Sequence, residues 1–338
     1  MRIAIHNRDS LGFFTRRWVE YCEKNGIDYK LVNAYDSNIV NQLKDCDAFM
    51  WHFSNYDYRD ALFAKQLLIS IQTSGKKVFP DANTCWHFDD KVGEMYLLQS
   101  LDAPIVPSYV FYSKKDALQW IDKTCFPKVA KLRGGSGSSN VKLISSKHQA
   151  TRWIRKAFGK HGFSQVDWME KIRFRVVSWK NGRDSLWGVL KSIIWAFVKN
   201  DYDRMHPSEK GYVYFQDFIP NNTYDIRVCV VDNKAFAIKR LCREGDFRAS
   251  GGGRMVYAKD ELDERCVKIA LDINQRVKAQ SIAFDFVFDN GRPLIVETSY
   301  GFAAHAYDKC EGYWDEKLQW HEGTGFDFCG WMVEEVLR

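Results

Sequence analysis

No stretch of this 338-residue chain approaches the roughly 18 uncharged apolar residues that a membrane-spanning helix requires. Nor does the N-terminus, Met1-Arg-Ile-Ala-Ile-His6, contain the long apolar region of a signal peptide; it reads as a short strand, and a cytoplasmic chain is expected. The nine cysteines include no Cys-x-x-Cys pair and are odd in number, so reduced thiols are the simplest reading. There is no dense block of Lys and Arg. The net charge of +6 permits an anionic ligand without marking a nucleic-acid partner, and none is expected. Internal repeats and low-complexity tracts are absent. No Ser-His-Asp or Cys-His spacing argues for a covalent enzyme nucleophile.

What is present supports cores of ordinary size. Apolar residues make up 46% of the chain and aromatics 15%, which excludes disorder as its general state. The length suggests two or three domains. Strand and helix signals alternate at the start. Ile3 to His6, Tyr29 to Asn33, Ala48 to Phe53 and Lys77 to Phe79 read as strands. Phe13 to Lys24 and Arg59 to Thr73 read as helices, the first closed by Asn25-Gly26. This βαβαβαβ pattern predicts a small parallel sheet. The polar runs His6 to Ser10 and His52 to Asn55 follow strand ends, where open α/β sheets bind ligands. Polar loops without a ligand are the plainer alternative.

The chemistry concentrates further along. Asp285 and Glu297 each sit in an apolar, strand-like run, Ile282 to Phe288 and Leu294 to Glu297, joined by the turn residues Asp289-Asn290-Gly291. A carboxylate in a segment that otherwise favours burial is costly unless paired or bound to metal. Two of them on adjacent antiparallel strands can share a cation, and hard oxygen ligands favour Mg²⁺. Upstream, Phe126 to Ile144 reads as strand, glycine-rich turn and strand. The turn Gly134-Gly135-Ser136-Gly137-Ser138-Ser139 offers backbone N–H groups and hydroxyls to phosphate oxygens. It lacks the Walker Gly-Lys-Ser/Thr ending, and a strand follows where a dinucleotide fingerprint needs a helix. A flexible hairpin is the bland reading of the same residues. Lys128 and Lys131 have odd spacing, so they are expected on opposite faces, one exposed and one toward a nucleotide.

In this order the motifs resemble the ATP-grasp superfamily, nearest its ribosomal-protein glutamate ligase and glutathione synthetase branch. The resemblance covers Asp89 to Ser299 apart from an insertion at about 172–210. It implies mixed α/β and α+β architecture in three parts: an N-terminal parallel domain over 1–88, an ATP-binding subdomain over 89–215, and a C-terminal subdomain over 216–338 with the metal site and an aromatic tail. ATP and Mg²⁺ are the implied cofactors. Lys91, opening a helix, and Lys131 resemble the ATP-contacting lysines, and Gly134 to Asn140 the phosphate-covering hairpin. Gln216-Asp217-Phe218-Ile219 resembles the hinge strand that binds adenine, and Asp225 the acid that reaches ribose. Lys239 would add positive charge at the phosphates. Arg227, Arg240 and Arg248 would grip an acyl phosphate or an incoming carboxylate. Asp285 and Glu297 match the metal carboxylates, with Ser299 where the family usually has Asn; Ser250 similarly replaces an Asn in the loop after Arg248. The resemblance implies ATP-dependent joining of a small-molecule carboxylate to an amine or thiol through an acyl phosphate. Phosphoryl transfer to a hydroxyl and a non-catalytic nucleotide-binding scaffold are the alternatives.

Two segments lie outside the family pattern. In the insertion, the apolar run Leu186 to Val198 lies among cations and is expected to form a helix packed on its own domain or on a dimer mate. Peripheral membrane contact is the less favoured option. After the metal strand, Tyr300 to Asp315 and Trp320-His321-Glu322 interleave aromatics with acids and histidines. Substrate contact is preferred over a packed C-terminal cap, and similar tails resemble those of ATP-grasp proteins of surface-polysaccharide synthesis. His305 and His321 are expected to be surface residues.

Overall fold

The computed structural model describes residues 1–338 except 9–11, 56, 136–139, 165–171, 173–175, 177–178, 180–184, 189, 192–204, 206, 243–247 and 250–253. By internal contacts the chain forms two units, Met1–Val106 with Ile219–Arg338, and Pro107–Phe218. The second boundary falls within the segment expected to act as a hinge, Gln216 to Ile219.

The first unit begins with β1 (Arg2–His6), α1 (Thr15–Asn25), β2 (Asp28–Val32), α2 (Ile39–Gln42), β3 (Ala48–Met50), α3 (Tyr58–Thr73), β4 (Lys77–Phe79) and α4 (Ala82–Cys85). The strands form the predicted parallel sheet, in the order β2-β1-β3-β4. α1 stops where expected because Gly26 adopts φ 64°, a left-handed conformation that glycine takes without a Cβ clash. The side chain of Asp57 caps α3 by accepting from the Arg59 backbone N–H. α5 (Lys91–Ser100) follows, capped in the same way by Asp90.

After the second unit, the chain returns as β9 (Tyr224–Val231), β10 (Lys234–Leu241), β11 (Met255–Val256), α8 (Glu264–Val277), β12 (Ser281–Asp289), β13 (Arg292–Ser299), β14 (Gly312–Trp314), β15 (Trp320–Glu322) and α9 (Phe328–Leu337). These strands form one sheet in the order β13-β12-β9-β10-β14-β15, with β11 on β10. Strand periodicity divides its residues between two environments. Ile226, Val228, Val230, Ala237, Phe284 and Phe286 pack with Val267, Ala270, Leu271 and Ile273 of α8. Each Val, Leu, Ile or Phe among them, fully buried, contributes roughly 1.5–3 kcal/mol. Cys229, Phe236, Ile238 and Ala283 belong instead to the core shared with the parallel sheet, α1 and α9. The positions that continue this second face along the strands carry charge.

The second unit holds β5 (Ser108–Phe111), α6 (Lys114–Ile121), β6 (Lys128–Lys131), β7 (Val141–Ile144), α7 (Lys147–Ala157) and β8 (Val213–Asp217). Its sheet is antiparallel, ordered β5-β8-β6-β7. Ala130, Val213 and Phe215 pack with α6 and α7. Of the helix expected over 185–198, only 185–188, 190 and 191 are among the described residues; Leu186, Trp187 and Leu190 are exposed.

Candidate functional site

The β12–β13 hairpin turns as predicted, through Asn290 and Gly291, both with positive φ. In a two-residue hairpin the partner of Asp289 is Arg292, and simple continuation of that register would set Asp285 opposite Val296. Glu297 would then point to the other face. The register shifts between Asp285 and Phe286, which leaves Val296 as an extra residue and pairs Asp285 directly with Glu297. A β-bulge, which the sequence reading did not anticipate, therefore puts both carboxylates on one face.

Asp285 also pairs across β9 with Arg227, and Asp225 pairs across β10 with Arg240. These four residues share that face and form a chain of ion pairs. Arg227 donates from Nε and Nη2 to the two oxygens of Asp285, at 2.5 and 2.7 Å. Arg240 Nη2 lies 2.8 Å from Asp285 Oδ2. Arg240 also grips Asp225 with both Nε and Nη2, at 2.7 and 2.6 Å. Burial alone would raise the Asp285 carboxyl, but the guanidiniums of Arg227 and Arg240 outweigh it and hold the group below the usual carboxylate range. For Asp225 burial wins, and its affinity for a proton rises despite Arg240. Asp225 was expected to reach a ribose; its carboxylate instead holds Arg240.

Lys91 is 4% exposed at the first position of α5, where the helix dipole disfavours a cation. Its Nζ lies 3.4 Å from Glu297 Oε1. Burial works against its charge, but Glu297, Asp89 and Glu94 more than compensate and raise its pKa. Glu94, which the sequence reading passed over, accepts from the Thr298 backbone N–H and so ties α5 to the strand of Glu297. Its signal was an acid one helical turn after Lys91 in a helix that is otherwise half apolar. Ser299, on the face of Glu297, donates its hydroxyl to the Gly301 carbonyl at 2.7 Å. Arg248 is half-buried beside the buried Ala249; residues 243–247 before it and Ser250 after Ala249 lie outside the described set.

Lys239 is not brought to this group. It pairs with Ile226 and thus lies on the α8 side of the sheet, with Nζ 2.6 Å from Glu261 and over the Tyr224 ring. Adjacent residues of a strand face opposite ways, so Lys239 and Arg240 cannot both face Asp285.

In the second unit, Lys131 and Gln216 share the face opposite Ala130 and Phe215, and Gln216 Nε2 donates to Ser108 Oγ at 3.1 Å. The expectation that one of the two strand lysines is exposed fails. Lys128 and Lys131 are both buried, because Lys128 pairs with Asp217 at 2.5 Å beside the rings of Tyr109 and Trp120. Gly134 and Gly135 are described, with Gly135 at φ 121°, and Asn140 Nδ2 donates to the Gly134 carbonyl. Ser136, Gly137 and Ser138 lie outside the described residues. Gln216 is flanked by β5 and β6, while Phe218 and Ile219 follow the strand end.

The N-terminal polar runs are knitted internally. His6 Nδ1 accepts from the Ala34 N–H, and His52 Nδ1 accepts from the Phe14 N–H while stacking on the Phe14 ring at 3.8 Å. Burial, reinforced by Arg8, depresses His6 to about 4 and His52 to about 3. Asn55 donates to Asp89 beside the start of α5. The preference for substrate contact by the aromatic tail is also corrected. Tyr300, Phe302, Tyr307 and Trp314 are buried, and Tyr300 donates its hydroxyl to the Phe53 carbonyl. Tyr313 stacks on His321, which pairs with Asp315 at 2.9 Å. These rings pack as a cap; His305 and His321 are exposed as expected.

The chain carries the ATP-grasp fold. It superposes along its whole length on the crystal structure of a RimK domain ATP-grasp protein from Sphaerobacter thermophilus, covering 100% of both chains with a TM-score of 0.57 and 15% identity. D-alanine–D-alanine ligase from Bacillus anthracis, solved in complex with ATP, gives a TM-score of 0.58 at 14% identity, with 100% of this chain and 97% of that one covered. The biotin carboxylase domain of Hydrogenobacter thermophilus 2-oxoglutarate carboxylase, solved with MgADP, gives 0.61 at 12% identity over 99% of this chain and 69% of that one. Residues 193–307 match the family model of the RimK-like ATP-grasp domain, which bears out the resemblance read from the motifs. A curated relative, the uncharacterised MG012 homolog of Mycoplasma pneumoniae, is 28% identical over 105 residues. That match spans 30% of this chain and 36% of the relative.

Proposed function

We propose that this protein is an ATP- and Mg²⁺-dependent ligase that joins a small-molecule carboxylate to an amine or thiol through an acyl phosphate. The observation that carries the reading is the direct pairing of Asp285 with Glu297, on a face that also presents Arg227 and Arg240. The donor set fits the ion: Mg²⁺ typically takes one or two protein carboxylates and completes its shell with water and phosphate oxygens. Asp285 and Glu297 would hold it, with the Ser299 hydroxyl close by along the same strand. The ion would neutralise charge on the transferring phosphoryl group.

The chain's own residues then have separable tasks. Lys91 and Lys131 are the cations that the family resemblance assigns to phosphate oxygens. Gln216 to Ile219 provide the adenine-binding segment. Arg227 and Arg240 line the face where phosphate oxygens and the acyl phosphate would sit; attack of the substrate carboxylate on the γ-phosphorus releases ADP, and the acceptor nitrogen or sulfur then displaces phosphate. Fixed geometry and charge complementarity are the main contributions available to such a site. A sugar-linked or amino-acid substrate is the class we favour.

The test is ADP release from the full chain with MgATP and a matrix of acids and amines, amino-sugar acids included. Release that requires both partners, and hydroxamate formation when hydroxylamine replaces the amine, are the expected results. A stable phosphorylated product formed without an acceptor would replace ligation with phosphotransfer. ATP binding without turnover across the matrix would leave a nucleotide-binding scaffold.

A further inference from the structure

The carboxylate assigned to the metal is already occupied by the protein's own cations. Asp285 is 7% exposed, and its two oxygens together receive three guanidinium contacts. The two arginines are not equivalent. Arg240 is 6% exposed and held by both oxygens of Asp225 in addition to Asp285, so it keeps a full partner if Asp285 is withdrawn. Among the described residues Arg227 bonds to a single carboxylate, that of Asp285, and its side chain is 19% exposed.

A bare divalent cation arriving at Asp285 would have to displace Arg227. It would leave that guanidinium without its counter-charge in a largely buried setting, which is strongly unfavourable. A polyphosphate arriving with the cation changes the balance. Its oxygens accept the planar fork of the guanidinium as well as a carboxylate does, so Arg227 exchanges one anion for another while Asp285 becomes available. We propose that Arg227 is a latch on Asp285 that phosphate oxygens open, so that the protein takes up its divalent cation together with a nucleotide polyphosphate and not alone. Arg240, fixed by Asp225, is the stationary half of the device. Asp225 is thereby a positioning residue. The coupling is reciprocal: the cation strengthens phosphate binding by the factor with which phosphate strengthens cation binding.

This inference rests on the assignment of Asp285 as a metal ligand, and Mn²⁺ binding read by electron paramagnetic resonance tests it without turnover. The full chain is titrated with Mn²⁺ alone and with ADP present, after correction for MnADP in solution. ADP is expected to tighten Mn²⁺ by at least about tenfold, equivalent to about 1.4 kcal/mol of coupling. Arg227→Gln is expected to tighten bare Mn²⁺ by about tenfold and to reduce the effect of ADP to less than about threefold. Lys239→Gln removes the same charge from the opposite face and should leave bare Mn²⁺ within about threefold of the wild type, which separates a latch from general field effects. Arg227→Lys, which keeps the charge but loses the fork, gives an intermediate result and serves if the Gln variant does not fold. Equal Mn²⁺ affinity with and without ADP in the wild type overturns the latch, as does bare Mn²⁺ affinity unchanged in both Arg227 variants. Absence of ADP binding under every condition defeats the ATP-site reading itself, while tighter bare Mn²⁺ in Arg227→Gln still registers the latch.

Discussion

In the first unit Asp60 and Asp285 are both buried against arginine, and they are held in opposite ways. Asp60, fully buried at the start of α3, accepts from Arg8, from the Tyr35 hydroxyl at 2.5 Å and from the Ser54 backbone N–H at 2.8 Å. Burial raises its pKa despite those partners. Asp285 has two guanidiniums and is held ionised. Asp60 thus joins a tyrosine, a loop backbone and a helix start, and no departure of a single side chain would release it. Asp285 is bound by side chains that can exchange one anion for another. The first arrangement fixes a fold; the second, on the proposed function, keeps a charged oxygen pair for a cation.

That contrast can be broken most decisively at Asp285. Asp285→Asn should lower ADP release by about a hundredfold to a thousandfold, since a group aimed at developing charge is lost. A thermal melt distinguishes this from unfolding. Asp60→Ala should do the reverse: it leaves Arg8 and the Tyr35 hydroxyl without a buried acceptor and costs about 3 kcal/mol, read as a lower denaturant midpoint, with turnover per folded molecule kept.

The buried histidines of the same unit also predict a pH response. His6, His52 and His87 are depressed to about 4, 3 and 4, chiefly by burial. The unfolded chain takes up protons near 6.5, so the stability these neutral rings contribute is present above that pH. It is lost as pH falls toward 4, at roughly 1.4 kcal/mol per pH unit for each ring. Asp60, raised in the folded state, acts oppositely: its contribution is present at low pH and lost as pH rises. Asp225 and Glu335, also raised by burial, act in the same sense as Asp60, so the imidazole contribution is read by difference against a histidine variant. In His52→Gln, chemical denaturation at several pH values should show a slope reduced by roughly 1.4 kcal/mol per unit; an unchanged slope would refute the assignment. The smallest effect belongs to Lys239→Gln. Its partner Glu261 is half exposed, so stability should change by less than about 1 kcal/mol and ADP release by less than about threefold.

Much of this organisation could be read from the sequence. Alternation of strand and helix signals found the parallel sheet, and Asn290-Gly291 found the hairpin. Asp285 and Glu297 stood out as acids in apolar strands. What escaped was parity. A two-residue turn places Asp285 and Glu297 on opposite faces unless one residue is inserted, and nothing local to Val296 announces a bulge. Parity within β10 was available: adjacent Lys239 and Arg240 must diverge, so only one could join Asp285. The role of Asp225 depended on pairing with β10, and long-range register is not carried by local pattern. Lys128 seemed free to reach solvent because its partner, Asp217, lies far along the chain.

The bulge at Val296 makes spacing, rather than identity, the quantity that keeps the two acids together. Loss of one residue between Gly291 and Glu297 would preserve every charged group named above and still turn Glu297 toward the helix side, away from Asp285. Among related chains, the functional ones should therefore tolerate substitution along this hairpin far better than a change in its length. A copy with both acids and an altered count between them should be read as a fold that has given up the shared carboxylate face.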